Sequence, residues 1–207
     1  VLHKEAFAIV TLGWMLVALL GGMPFWLSGS LPTYVDGVFE AMSGITTAGA
    51  TVFAGVEGVP RATILWRSLL HWLGGMGFVV LSVAVLPKLG VSGRQLFEAE
   101  VPGLVSERLR PRIRQTARVL WGMYAGLTLI LTLLLVIGNM SLFEATVHAF
   151  STMGTGGFSS RNLSVESFQN PYIEMVILVF MVLAGTNFAI HYRFLRTGSR
   201  RSFLRSE

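Results

Sequence analysis

Four long apolar stretches, separated by shorter polar segments, dominate the hydrophobic pattern of the chain. They cover residues 6–27, 62–86, 115–138 and 172–195. A bilayer core of about 30 Å is crossed by about 20 helical residues, so each stretch is long enough to span a membrane as an α-helix. The pattern therefore predicts an all-α integral membrane protein of the multi-pass type.

Composition and charge placement refine this prediction. Of the 207 residues, 53% are hydrophobic and 13% are charged, whereas a soluble domain carries about 25% charged residues. The basic residues behind the net charge of +5 are concentrated after the second and fourth stretches. By the positive-inside rule, this predicts that both termini are cytoplasmic, and it argues against binding to nucleic acid. The absence of cysteine excludes disulfides and thiolate metal sites.

The two halves of the chain repeat each other. Residues 34–50 superpose on residues 142–158 without a gap at a shift of 108 positions, and residues 73–78 align with 183–188 at a shift of 110. Identical residues meet at Ala41/Ala149, Ser43/Ser151, Thr47/Thr155 and Gly49/Gly157. We predict two tandem, parallel span–loop–span repeats. The predicted divisions are a first repeat (1–86), a cytoplasmic linker (87–114), a second repeat (115–196) and a basic cytoplasmic tail (197–207).

The segment inside each repeat predicts a re-entrant pore loop. About a dozen residues could form a half-membrane helix, and Thr and Gly residues follow it. Non-helical backbone at membrane depth is tolerated where it lines a watery cavity, and the C-terminal end of a short helix favours a cation. Carbonyls could replace the ion's water shell there. The alternative is an ordinary extracellular loop with turn glycines. The candidate ion-binding residues are Thr46, Thr47, Ala48, Gly49, Thr155, Gly156 and Gly157.

Several charged residues are candidates for supporting this pore. Asp36, Glu40 and Glu144 could form an anionic vestibule or could support the pore helices, and Arg67 could pair with Glu40. A membrane-embedded enzyme using His71 or His148 is an alternative, as is a non-conducting scaffold. The chain lacks the paired acid, base or metal ligands that enzyme chemistry needs, so we predict that it is not an enzyme and needs no cofactor.

Three motifs give the chain a family resemblance. They are residues 39–52 (FEAMSGITTAGATV), 67–78 (RSLLHWLGGMGF) and 148–159 (HAFSTMGTGGFS), and residues 86–100 and 187–191 add to them. On these motifs the sequence resembles the Trk/Ktr/HKT superfamily of potassium-uptake proteins, and within it the TrkH-like membrane subunits.

The resemblance implies four pore-loop repeats around one K⁺ path, of which two are present here. It implies that K⁺ binds to the backbone carbonyls of Thr47, Ala48, Gly49, Thr155, Gly156 and Gly157. Glycine at position 49, where sodium-transporting relatives have serine, indicates K⁺. The second filter glycine is Gly157 if the shift of 108 holds, with Gly156 as the alternative.

The resemblance also implies a location in the plasma (inner) membrane and several partners. The expected partners are the lipid bilayer, a cytosolic nucleotide-binding ring of the TrkA type, and either two further repeats or a second copy in a homodimer. A fragment of a longer protein and a complete half-length protein are both considered, and the pattern leaves open channel-like against Na⁺- or H⁺-coupled transport.

Overall fold

The structure, a computed structural model, describes residues 3–85 and 109–186. All regular structure within these two ranges is helical, which confirms the all-α prediction for them. The helices are α1 (His3–Leu27), α2 (Tyr34–Ile45), α3 (Arg61–Val85), α4 (Leu109–Ile137), α5 (Leu142–Met153) and α6 (Pro171–Gly185), with a 3-10 helix at Ser164–Phe168. The predicted tail (197–207) and most of the predicted linker (87–114) lie outside the described residues.

The boundaries of the two short helices, α2 and α5, agree with the predicted repeat at every residue. Each has 12 residues, and both their first and their last residues are 108 positions apart. Thr33 and Ser141 cap them, and each hydroxyl accepts a hydrogen bond from a backbone N–H three residues on, at Asp36 and Glu144. A hydroxyl N-cap satisfies one of the donors that a helix start leaves free. The sequence therefore determines where both short helices begin.

The long helices agree with the predicted spans except at their ends. Within the described ranges, Arg118–Ile137 passes a length and hydropathy test for a membrane span, and Thr11–Leu27 and Pro171–Gly185 are shorter apolar stretches. Helix α4 begins at Leu109, before the predicted start at residue 115, because hydropathy marks only the apolar part of a helix whose first turns carry arginine. The described part of α6 ends at Gly185, so the predicted end at residue 195 lies outside the described ranges.

The outer surfaces of the long helices are apolar. Leu12 on α1 is 65% exposed, Ile137 on α4 is 74% exposed and Val182 on α6 is 61% exposed. Many other large apolar side chains on the same helices are also exposed. Soluble monomers rarely expose apolar patches of this extent, so the surface fits contact with lipid.

Helix α3 lies between the two short helices and contacts both of them through glycine. A Cβ on Gly74 would lie 2.0 Å from the carbonyl oxygen of Ile45, the last residue of α2. A Cβ on the next residue, Gly75, would lie 2.8 Å from the Cα of Gly154, just beyond α5. Neither position has room for a side chain. The C-terminal ends of α2 and α5 are therefore seated on adjacent residues of one helix.

The main core lies between α3, α4, α5 and α6. Its buried members include Met76, Leu131, Leu135, Met153 and Ile173. Trp72 lies beside this core, where its indole N–H donates to the hydroxyl of Thr128 (3.0 Å) and its carbonyl accepts from Tyr124 (3.0 Å). The polar ends of these aromatic residues are satisfied although their rings are packed against the core.

Candidate functional site

The loops that follow α2 and α5 begin with the same hydrogen bonds. In the first loop, the N–H of Thr47 donates to Gly44 (3.1 Å) and that of Ala48 donates to Ser43 (3.0 Å). The counterparts in the second repeat are Thr155 to Thr152 (3.0 Å) and Gly156 to Ser151 (3.0 Å). Each loop therefore starts in a geometry fixed by the end of its helix. Thr46, a predicted site residue, caps α2, and its hydroxyl donates to the carbonyl of Met42 (2.7 Å).

Both loops then alternate in the sign of φ. Thr47 and Gly49 have φ of 57° and 73°, and Thr155 and Gly157 have 55° and 89°. Positive φ is an outlier for a β-branched residue and costs on the order of 1–3 kcal/mol. Gly156, the alternative filter glycine, is not among the residues with positive φ. The backbone thus pairs Gly49 with Gly157, the register that preserves the repeat shift found in the sequence.

The two loops approach each other closely. A Cβ on Gly49 would lie 2.2 Å from the carbonyl oxygen of Gly156. Position 49 therefore requires glycine for two reasons, its positive φ and the neighbouring backbone. By contrast, a Cβ on Gly157 would meet nothing within 4 Å. Gly157 thus borders open space, and its requirement for glycine is conformational alone.

Residues of α3 support the second loop from behind. The ring of His71 stacks on the ring of Phe158, with centroids 3.8 Å apart, and a Cβ on Gly156 would lie 2.3 Å from this imidazole. The guanidinium of Arg67 also lies over the Phe158 ring, 3.6 Å from its centroid. Phe158 therefore links the second loop to a helix of the first repeat. Sequence reasoning missed this role, since an aromatic residue after a glycine-containing loop carries no local signal.

The buried carboxylate of Glu40 connects α2 to α3 through an ion pair and to the end of the first loop through hydrogen bonds. Glu40 is 0% exposed, and its carboxylate accepts a hydrogen bond from Nε of Arg67, the predicted pairing. The hydroxyl of Thr51 lies 3.0 Å from both carboxylate oxygens, and the N–H of Val52 donates to Oε2 at 3.0 Å. Breaking a buried ion pair leaves an uncompensated charge. This burial favours pore-helix support over a vestibule role for Glu40.

A histidine occupies the corresponding position of the second repeat. His148 is the counterpart of Glu40 under the repeat alignment, and its Nε2 is 3.0 Å from the hydroxyl of Ser159. Its Nδ1 is 2.8 Å from the carbonyl oxygen of Glu144, one turn earlier on α5. Sequence reasoning did not find this contact. The available signal was the repeat itself, because Thr51 and Ser159 are both hydroxyl residues at equivalent positions.

The two other acidic candidates lie at the starts of the short helices. Asp36 accepts a hydrogen bond from the hydroxyl of its own cap, Thr33, at 2.6 Å. Glu144 accepts from Ser141 (2.8 Å) and pairs with Arg161, whose Nη2 lies 2.7 Å away. Burial acts to raise the pKa of Glu144, but the hydrogen bonds from Ser141 and Arg161 and the charge of Arg161 outweigh it and lower the pKa. These contacts fit the support of helix starts.

The outer segments of the two repeats are joined by Asn162. Its side-chain oxygen accepts a hydrogen bond from the N–H of Val56 (2.8 Å), and its own N–H donates to Glu57 (3.2 Å). Sequence reasoning also missed this residue, because a loop asparagine has many ordinary uses. These two hydrogen bonds connect the segment just before α3 to the second loop.

Among the described residues, His71 and His148 do not form a catalytic constellation. Neither ring nitrogen of the buried His71 has a hydrogen-bond partner in the part of the chain that the structure describes. Over the same ranges, no group of three or more His, Asp and Glu residues could hold a metal ion. His148 contacts a serine, but no acid orients it for proton transfer, since its other nitrogen meets a backbone carbonyl.

Comparison with known proteins agrees with this geometry. Residues 2–205 match the model of the TrkH family, described as cation transport protein. The Trk system potassium uptake protein TrkH of Salmonella typhimurium is 42% identical over 204 residues, which are 98% of this chain and 42% of that protein. TrkG of Escherichia coli is 39% identical over 191 residues, which are 91% of this chain and 39% of that protein.

A solved structure is also similar. The crystal structure of the potassium transporter TrkH from Vibrio parahaemolyticus matches with a TM-score of 0.80 and 34% identity, over 94% of this chain and 39% of that one. The chain therefore spans about 40% of the length of the relatives that it matches.

Proposed function

Because the chain belongs to the TrkH family of cation transport proteins, we propose that it contributes two pore-loop repeats to a potassium-uptake pore. Its relatives are named potassium uptake proteins, and the family is one of membrane transporters, not enzymes. In this proposal, K⁺ is the transported ion and no further cofactor takes part. The ion is bound by the backbone carbonyls of Thr47, Ala48, Gly49, Thr155, Gly156 and Gly157.

The observation that carries the proposal is the pair of matched loops. Successive carbonyls of an extended chain point to opposite sides. A φ of changed sign at alternate residues can turn them toward one side, and both loops have this alternation at equivalent positions. The contact between Gly49 and the Gly156 carbonyl supports a shared path, because it places the two loops side by side. Carbonyl rings of this kind replace the hydration shell of an ion.

Helix geometry adds an electrostatic contribution. Each loop starts at the C-terminal end of its short helix, where unpaired carbonyls give a partial negative charge equivalent to roughly half an elementary charge. Both ends are held by α3, so the two partial charges act on the same region. Such an end favours a cation. The helix ends give no preference for K⁺ over Na⁺. Selectivity for K⁺ would come from the loop carbonyls and from glycine, rather than serine, at position 49.

Other repeats must complete the pore, because two loops leave it open on one side. On α6, the surface equivalent to the one where α3 contacts the short helices is uncovered within the described residues. Gly185, equivalent to Gly75, has nothing within 4 Å of a Cβ position. Met181, equivalent to His71, is 57% exposed. The proposal places two further repeats or a second copy there.

The remaining parts of the proposal concern topology and partners. They comprise a plasma membrane location with cytoplasmic termini, the divisions 1–86, 87–114, 115–196 and 197–207, and a TrkA-type nucleotide-binding ring on the cytoplasmic side. The basic linker and tail support the orientation by the positive-inside rule.

The test is Gly49→Ser in the full-length protein, expressed in cells that depend on it for potassium uptake. A serine Cβ would meet both the unfavourable φ and the Gly156 carbonyl. We expect K⁺ uptake to fall at least tenfold or Na⁺ uptake to increase, at an unchanged amount of protein in the membrane. Gly58→Ser is the matched control, since Gly58 also has positive φ (99°) but has no neighbour within 4 Å. Unchanged transport and selectivity in Gly49→Ser would overturn the proposal.

A further inference from the structure

The two repeats tie their pore helices to their loops at the same positions. Glu40 on α2 contacts the hydroxyl of Thr51, and His148 on α5 contacts the hydroxyl of Ser159. Both hydroxyls also accept a backbone hydrogen bond from two residues further on, from Phe53 at 3.1 Å and from Arg161 at 3.0 Å. The members of each pair are equivalent under the repeat alignment. The same connection is thus made twice, once with a carboxylate and once with an imidazole.

The hydrogen bonds of His148 determine how its connection works. The carbonyl oxygen of Glu144 can only accept, so Nδ1 carries the hydrogen of a neutral ring. The hydroxyl of Ser159 accepts from the N–H of Arg161, which leaves its own hydrogen free to donate to Nε2. Every group in this short chain then has a partner. A buried polar network that is fully satisfied holds one arrangement of its members.

Their surroundings explain why the two repeats use different residues. The carboxylate of Glu40 is paired with Arg67, but the position equivalent to Arg67 in the second repeat is Ile177. Ile177 and His148 line a cavity of about 380 Å³. The nearby charges, Glu144 and Arg161, are paired with each other, so neither is free to compensate a carboxylate at position 148. An imidazole makes the connection without a buried charge.

We infer that His148 is the positioning residue of the second filter loop, with the role that Glu40 has in the first. The inference rests on the proposed function. The inner end of the second loop is fixed by hydrogen bonds to the end of α5, and the outer end is fixed at Ser159, two residues beyond Gly157. Gly157 lies between these two attachments, and the adjacent Phe158 is also stacked on His71, so loss of the hydrogen bond at Ser159 loosens the outer part of the loop without detaching it. Ion selectivity should then change more than the amount of folded protein.

The experiment compares His148→Gln with His148→Met in the full-length protein. The two replacements are similar in size, but the glutamine amide oxygen is a good acceptor for the hydroxyl of Ser159, whereas the methionine sulfur is only a weak one. The readouts are KM and Vmax for K⁺ uptake, the Na⁺/K⁺ selectivity ratio and the amount of protein in the membrane. For the methionine variant, we expect the K⁺ selectivity to fall, or the KM for K⁺ to rise, by about five- to tenfold, as for one lost hydrogen bond. The glutamine variant should stay closer to the wild type.

A double-mutant cycle and a control sharpen the result. If the two side chains act as one unit, Ser159→Ala should repeat the effect of His148→Met, and the double variant should be no worse than either. Thr146→Val is the control on the same helix, since its hydroxyl donates to the carbonyl oxygen of Leu142 (2.8 Å), within α5 itself. Equal selectivity of the glutamine, methionine and wild-type proteins, or fully additive effects in the cycle, would overturn the inference.

A transplant of the first connection tests the equivalence directly. His148→Glu should abolish uptake because it buries an unpaired carboxylate, and adding Ile177→Arg, which projects into the cavity, should restore part of it. No recovery would count against equivalent roles. Failure of the inference is distinguishable from failure of the proposed function: in the first case Gly49→Ser still alters transport while His148→Met does not, and in the second Gly49→Ser has no effect.

Discussion

Substitution of one glycine on α3 gives the sharpest test of how the first pore helix is held. In Gly74→Ala, the new methyl group would lie 2.0 Å from the carbonyl oxygen of Ile45 and 2.7 Å from its carbon. Real Cβ contacts are essentially never shorter than 3.0 Å, so the end of α2 must retreat by about 1 Å. The obstacle is backbone at the end of a helix, so no flexible side chain can yield. Overpacking of this kind costs about 1–3 kcal/mol.

The matched control is Gly77→Ala on the same helix. Its new Cβ would make ordinary contacts with the Trp14 ring, at 3.7 and 3.8 Å. Both variants gain about 1 kcal/mol of helix propensity when glycine becomes alanine. This gain cancels when the two variants are compared, and what remains is the overpacking at Ile45. For a protein of the length of its relatives, of which this chain spans 42%, each kcal/mol shifts the melting temperature by about 1–2 °C, so the alanine at 74 should melt about 1–6 °C below the alanine at 77.

Two assays measure this difference in the full-length protein, one on the purified protein and one in cells. Thermal unfolding gives the stability difference, and K⁺ uptake by cells gives the functional one. We expect Gly74→Ala to transport less K⁺ per molecule, since the displaced carbonyl is at the start of the first filter loop, and Gly77→Ala to transport normally. Equal melting temperatures and equal uptake for the two variants would refute the close contact between Gly74 of α3 and the end of α2.

Two further predictions concern charge pairs. Glu40→Gln should cost about 3–5 kcal/mol because it leaves Arg67 buried and unpaired, and the double variant with Arg67→Met should recover stability in thermal unfolding; a double variant as unstable as the sum of the singles would contradict the pairing. The lowered pKa of Glu144 adds stability at pH values above its ordinary pKa of 4.5, and this stability is lost as the pH falls through the folded value. Glu144→Gln should therefore melt below the wild type at pH 7 and converge with it in acid, whereas parallel curves at all pH values would count against the ion pair with Arg161.

The sequence predicted the repeat because both halves carry the same local signals. The shift of 108 predicted that α2 and α5 are equivalent, and the hydroxyl caps Thr33 and Ser141, which the sequence analysis did not single out, start them at equivalent residues. The positive φ of Gly49 and Gly157 could likewise be expected from residue type. Hydropathy was less successful at the ends of spans, as Leu109 shows, because a helix can continue into charged residues.

Other features of the site depend on tertiary contacts that no local pattern encodes. Thr47 and Thr155 have positive φ although threonine disfavours it, so their conformation is imposed by the surrounding backbone. Phe158 packs on α3 of the other repeat, and Ser159 contacts a histidine on the preceding pore helix. The repeat alignment would have revealed the second contact only after the first repeat's carboxylate had been seen against Thr51.

The adjacent glycines of α3 restrict how the two loops can move relative to each other. Since Gly74 touches the end of one pore helix and Gly75 the region beyond the other, a rotation or shift of α3 would displace both loops in the same event. If one loop moved while the other stayed in place, the close backbone contact between α3 and one of the short helices would be lost. Conformational change at this junction would therefore be concerted, and independent motion of single loops would have to occur at junctions where the intervening helix carries larger side chains.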